Sequence, residues 1–130
     1  MPQDAAGRYE TIQWLMFQMA GIGPMFGQVG FFNKFAGKDY EDKRPRERYV
    51  TESRRLLSVL EERLSERAWI MGDEYTIADI ATFPWVRNLI GFYEAGDLVG
   101  ISDFPNVTRA LDAFVARPAV ERGLAIPGKE

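Results

Sequence analysis

A chain of 130 residues with 46% hydrophobic and 27% charged residues has the composition of one ordinary globular domain. It contains no cysteine and no histidine, which excludes disulfides, thiolate nucleophiles, Cys/His metal sites and imidazole acid–base chemistry within the chain. A net charge of −3 argues against nucleic acid as a partner, because such binding needs a strong positive field.

Chemistry done here must therefore use hydroxyls, carboxylates, Lys, Arg or a thiol supplied by a ligand. No apolar stretch reaches the ~18 residues of a membrane span, so no membrane partner is expected. Met1-Pro2-Gln3-Asp4 lacks the basic and apolar regions of a signal peptide, so the expected compartment is the cytoplasm.

No run alternates apolar and polar residues long enough for a strand, and the elements read as helices throughout. The first is predicted from about Ala5 to Ala20, with Tyr9, Ile12, Met16 and Met19 on one face and Trp14, Leu15 and Phe17 on others. An apolar surface that wide calls for two partners, the domain's own core and something else. Gly21-Ile22-Gly23-Pro24 is expected to interrupt it, since proline lacks an amide and crowds the preceding turn. The segment from Met25 to Ala36 carries Met25, Phe26, Val29, Phe31, Phe32 and Phe35. That cluster fits either core or the adaptable wall of an apolar pocket.

Gly37 to Arg44 reads as a polar connector. Pro45 suits the first turn of a helix running to about Arg67, with Tyr49, Ser53, Leu56, Leu57, Leu60 and Leu64 as its buried stripe. Its Glu and Arg residues, Glu52 and Arg55 among them, are expected on a solvated face. After the apolar link Ala68 to Gly72, Thr76 and Asp79 stand at capping-box spacing, with Tyr75 and Ile80 placed as a hydrophobic staple. The helix they start is predicted to run to about Ile90, to be apolar nearly all round, and to kink at Pro84. Gly91 to Asp103 reads as a loop. A last substantial helix from Phe104-Pro105 ends at Arg117-Pro118, and a short turn from Ala119 to Leu124 precedes a frayed tail. The expected fold class is all-α, a bundle of about five to six helices packed around the Thr76 helix.

Three stretches together resemble a known family: Gln13-Trp14-Leu15-Met16-Phe17-Gln18 with Gly23-Pro24-Met25-Phe26-Gly27-Gln28; the capping-box run through Phe83-Pro84-Trp85; and Phe104-Pro105-Asn106-Val107 leading to Arg117-Pro118-Ala119. They resemble the C-terminal helical domain of cytosolic glutathione transferases, across the whole of residues 1–130. The Gly-Pro-Met-x-Gly-Gln element is similar to that of the bacterial Nu class and its fungal relatives. Members of this superfamily place a thioredoxin-like domain before the helical one, and Met1-Pro2-Gln3-Asp4 looks like the linker that follows it. The resemblance thus implies half an enzyme, inactive without the thiol-activating domain and with no catalytic residue of its own.

It also implies glutathione as cosubstrate, no metal, disulfide reduction rather than efficient conjugation, and a homodimer. Relatives work without a protein cysteine, because bound glutathione supplies the thiolate that attacks the disulfide in line. In close relatives an arginine of the Glu-Arg-Tyr element reaches glutathione in the neighbouring subunit, which carries over to Arg48; the alternative is one more solvated charge. Met25, Gln28, Phe32 and Trp85 are the implied lining of a pocket for small apolar or disulfide substrates, although Trp85 reads first as core and Gln28 equally as a polar residue at a helix end. Val29-Gly30-Phe31-Phe32 replaces polar and histidine residues of some relatives, which makes the implied pocket more apolar. Two other functions fit the same residues, a non-catalytic helical interaction module and a carrier of small apolar ligands.

Overall fold

The structure is a computed structural model that describes residues 1–126 and 128. Helices α1 (Ala5–Phe17), α2 (Gly23–Asn33), α3 (Arg44–Leu64), α4 (Ile77–Arg87), α5 (Pro105–Val115) and α6 (Pro118–Leu124) form an all-α bundle. Among the described residues no helix is long and apolar enough to cross a membrane. Of the tail expected to fray, Pro127, Lys129 and Glu130 lie outside the described residues.

The expected break at Gly21–Pro24 does not occur. Asp4 caps α1 by accepting from the Gly7 amide at 2.8 Å, and α1 runs through a π-helical turn, Gln18–Ile22, directly into α2. There the Gly23 amide reaches back to the Gln18 carbonyl, an i→i+5 bond. The wider turn makes room for the proline ring, and Pro24 then sits in the first turn of α2, where its fixed φ suits the helix. The second proline behaves similarly. Helix α4 continues through Pro84 and widens into a second π-helical turn, Asn88–Phe92, closed by the Tyr93 amide on the Asn88 carbonyl at 2.7 Å. The predicted loop therefore begins as helix, and it also holds a 3₁₀ turn, Ile101–Asp103.

The core gathers Ile22, Phe26 and Val29, the α3 leucines Leu56, Leu57, Leu60 and Leu64, and Phe83, Val86 and Leu89 of the α4 arm. Val107, Ala110, Leu111 and Phe114 of α5 close it. The predicted α3 stripe is buried from Ser53 onward, with Tyr49 half-buried. Two faces differ from expectation. Thr11 is the one fully buried residue of α1, while Tyr9, Met16 and Met19 are 72%, 48% and 55% exposed. On α4, Ile80 is half exposed and Pro84 faces out, so that helix has one open apolar side.

The charges of α3 also divide. Arg55 and Glu52 pair on the solvated face at 2.7 Å, as the spacing predicts. Arg54, Glu61 and Arg63 instead cross to other elements. Arg54 donates to the Val99 carbonyl and to Asp103; Arg63 donates to the Ile70 carbonyl and to Glu10. Gly100 takes a φ of +63°, and a Cβ there would strike the Arg54 guanidinium, so that turn requires glycine.

Ser53 buries its hydroxyl without a partner among the described residues. Ser53→Ala removes an unpaired buried polar atom and substitutes a better helix former. It should stabilise the domain by about 1 kcal/mol, read from the urea midpoint. A loss of stability of that size would count against an unpaired hydroxyl.

Candidate functional site

Arg48 lies on the second turn of α3 with its side chain exposed, and among the described residues it makes no hydrogen bond or ion pair. Its neighbour one turn on, Glu52, is held by two hydrogen bonds from Arg55, at 2.9 and 2.7 Å. The Arg55 guanidinium holds the Glu52 carboxyl below its ordinary range, and the fields of Arg55 and Arg48 add to this. Arg48 therefore contributes charge to this face without being committed to a carboxylate. A guanidinium in that state can take an incoming carboxylate through paired, charge-assisted hydrogen bonds.

Next in sequence, Tyr49 stacks on Phe32 with ring centroids 5.7 Å apart and planes at 18°. Tyr40 packs edge-on against Phe31 and Phe32, at 6.2 and 5.9 Å. These rings form an aromatic seam between α2 and α3, and Arg48 is the chain neighbour of its Tyr49. The other expected lining residues are strung along α2 and do not gather there. Trp85 lies half-buried at the start of α2, where a Cβ on Gly23 would come within 3.4 Å of its indole. Met25 is half-buried against the core one turn further on, and Gln28 is exposed.

Of two described cavities, one of about 290 Å³ is lined by Trp14, Val59, Glu62, Arg63 and Arg67, and the other, about 270 Å³, borders α6. Neither includes Arg48, Met25, Gln28, Phe32 or Trp85.

The capping box forms. The Thr76 hydroxyl accepts the Ala78 amide at 3.2 Å and closes the box with the Asp79 amide, and Asp79 Oδ2 accepts the Thr76 amide at 2.8 Å. Sequence spacing did not reveal a second duty. Asp79 Oδ1 accepts the Ile70 amide at 2.9 Å, tying the tight Trp69–Gly72 turn to the helix start. Burial pushes the Asp79 carboxyl above its ordinary range, against the opposing pull of the Ile70 and Thr76 amides. Glu61 was also missed. It accepts the Asn106 and Val107 amides at 3.0 and 2.9 Å and the Asn106 side chain at 2.7 Å. The available signal was the start of α5, Phe104-Pro105-Asn106, which has no Ser, Thr or Asp at its cap and so needs an acceptor from elsewhere.

Residues 17–118 match the family described as glutathione S-transferase, C-terminal domain. The chain is 38% identical over 126 residues to the disulfide-bond oxidoreductase YghU of Escherichia coli, covering 95% of this chain and 43% of that protein. It is 36% identical over 117 residues to the disulfide-bond oxidoreductase YfcG of the same organism, covering 90% of this chain and 51% of that protein. A glutathione transferase from Burkholderia graminis, solved with two glutathione molecules bound per subunit, superposes with a TM-score of 0.96 at 78% identity, over 100% of this chain and 54% of that one. The chain spans about half the length of the curated relatives it matches. An all-helical fold whose α4 is started by the Thr76–Asp79 box, matched in sequence from residue 17 to 118, makes this chain a member of the glutathione S-transferase C-terminal domain family.

Proposed function

We propose that residues 1–130 form the substrate-binding and dimer-forming domain of a cytoplasmic, Nu-class-like glutathione transferase that reduces disulfides at the expense of glutathione. The observation that carries this reading is the 78% identity, over the whole chain, to a transferase that holds two glutathione molecules per subunit. Two glutathiones suit disulfide reduction. One thiolate attacks a disulfide sulfur and releases the first thiol, the second attacks the glutathione sulfur of the mixed disulfide and releases the other thiol, and glutathione disulfide leaves. A chain without cysteine contributes position and charge to that sequence. Arg48 grips a glutathione carboxylate of the neighbouring subunit, and Met25, Gln28 and Phe32 of α2 with Trp85 of α4 supply the pocket wall for the disulfide. The exposed Tyr9 and Met16 of α1 and Met19 of the following π-helical turn supply apolar surface for contact with another domain or subunit. Thiol activation belongs to a thioredoxin-like domain, so the domain alone is inactive.

Titration calorimetry tests this with the 130-residue chain alone and with the same chain fused behind the part of the Burkholderia graminis relative that it does not match. The chain alone should give no heat with glutathione up to millimolar concentration, and the fusion should bind. Arg48→Ala should weaken binding by the fusion about tenfold or more, the worth of a charge-assisted pair. Equal binding by chain and fusion, or a fusion indifferent to Arg48→Ala, would overturn the assignment.

A further inference from the structure

The turn that ends the α4 arm carries backbone strain. Glu94 takes a φ of +56°, the only residue other than glycine with a positive φ among those described. That left-handed conformation presses the Cβ toward the following carbonyl and persists only where the surroundings hold it. The hold comes from the end of α2. The Asn33 side-chain amide donates to the Tyr93 carbonyl at 3.0 Å and reaches the Glu94 carbonyl at 3.4 Å. Lys34 adds an ion pair to Glu94 at 2.7 Å and lies 4.8 Å from the Phe92 ring centroid. The Tyr93 ring fills a notch at Gly30, where a Cβ would strike it, and Phe35 packs on Phe92 and Tyr93.

The last turn of α2 is thus gripped on one side by a strained turn. Another side of the same turn carries Phe32, stacked on Tyr49 and adjoining Asn33 in the chain. A π-helical turn separates α2 from α1, so the direction of α2 depends on what holds its far end. The contacts there differ in weight. Phe35 and Phe92 are 45% and 54% exposed, which makes them a weak apolar anchor, and an exposed ion pair contributes little. The directional bonds of the half-buried Asn33 remain to set the position.

We infer that Asn33 is a positioning residue for the disulfide substrate. By gripping the Tyr93–Glu94 turn it fixes the last turn of α2, and with it the place of Phe32 in the pocket wall. The role in substrate positioning rests on the enzymatic reading proposed above, whereas the grip itself does not.

Two measurements keep these apart. In the 130-residue chain, Asn33→Ala should abolish the nuclear Overhauser contacts between the Phe32 and Tyr49 rings. Those between Phe83 and Phe114 in the core, whose rings lie 5.6 Å apart, should persist. In the fusion, diethyl disulfide is the probe and formation of glutathione disulfide the readout. Asn33→Ala should raise the KM for diethyl disulfide about tenfold, the scale of one misplaced apolar contact in a pocket, with kcat unchanged. A merely structural role would lower kcat through loss of folded protein and leave KM as it was. Asn33→Asp, of the same size but without the donor, should reproduce Asn33→Ala. Glu94→Gln, which removes only the exposed ion pair, should keep the original KM. The role of Asn33 is overturned by an unchanged KM in Asn33→Ala, by an Asn33→Asp variant that behaves as the parent, or by an equal rise in Glu94→Gln. Ring contacts that survive Asn33→Ala refute the grip. A fusion that reduces no disulfide before any substitution refutes the enzymatic reading, and the positioning role with it.

Discussion

Asp79→Ala is expected to destabilise the domain by about 3 kcal/mol, because it orphans two buried amides at once, each costing roughly 1–3 kcal/mol unpaired. Those amides belong to Ile70 and Thr76, bonded to separate carboxylate oxygens at 2.9 and 2.8 Å. Thr76→Ala removes only the reciprocal half of the box and should cost ~1 kcal/mol. Asp79→Asn retains one acceptor oxygen and should fall between the two. Urea midpoints followed by circular dichroism rank the three. An Asp79→Ala loss no larger than that of Thr76→Ala would mean that the Ile70 bond contributes nothing.

The same variant carries a pH signature. Burial raises the folded-state pKa of Asp79 above its unfolded value, so the folded protein holds that proton more tightly. The stability linked to it is fully present below the unfolded pKa of about 3.9 and is lost as pH rises through the folded one. The gap between wild type and Asp79→Ala should therefore be widest below about pH 4 and narrow to a plateau above the raised pKa. A gap that widens with pH would reverse the sign and place the amide hydrogen bonds above desolvation.

Glu61→Ala is expected to cost about 2 kcal/mol, since it strips the start of α5 of its acceptor and removes a negative charge from the positive end of a helix. Phe104 offers no side-chain cap and Pro105 no amide, so Asn106 and Val107 depend on a residue from α3. Glu61→Gln, with one acceptor oxygen and no charge, should lose about half as much. Hydrogen exchange locates the effect. Asn106 and Val107 should lose protection ahead of the α3 core amides in Glu61→Ala, whereas uniform loss would make Glu61 a general contributor and not a cap.

Much of this domain is carried by local sequence. Apolar spacing identifies α3 and α5, Pro45 and Pro105 mark their first turns, and Thr76–Asp79 starts α4. These signals act within one or two turns of chain, where backbone geometry alone decides which residues meet. Family membership is equally legible, since the Gly-Pro-Met-x-Gly-Gln element and the capping-box run are contiguous residues.

What spacing cannot convey is which face of an apolar helix turns inward and which charges find partners far along the chain. Tyr9, Met16 and Met19 follow helical spacing as well as any core stripe, yet they face outward, because α1 packs through Trp14 and Phe17. Glu61 and Arg63 read as surface charges until α5 and the Ile70 turn are brought against them. Pro24 predicts a break that packing replaces with a π-helical turn, since the wider i→i+5 geometry accommodates the ring while Gly23 lies close beneath Trp85. Local signals thus suffice for most of the helices, for their starts and for the family. How the prolines are absorbed, which carboxylates serve as caps and which apolar faces turn outward follow from packing, because each depends on contacts between residues distant in the chain.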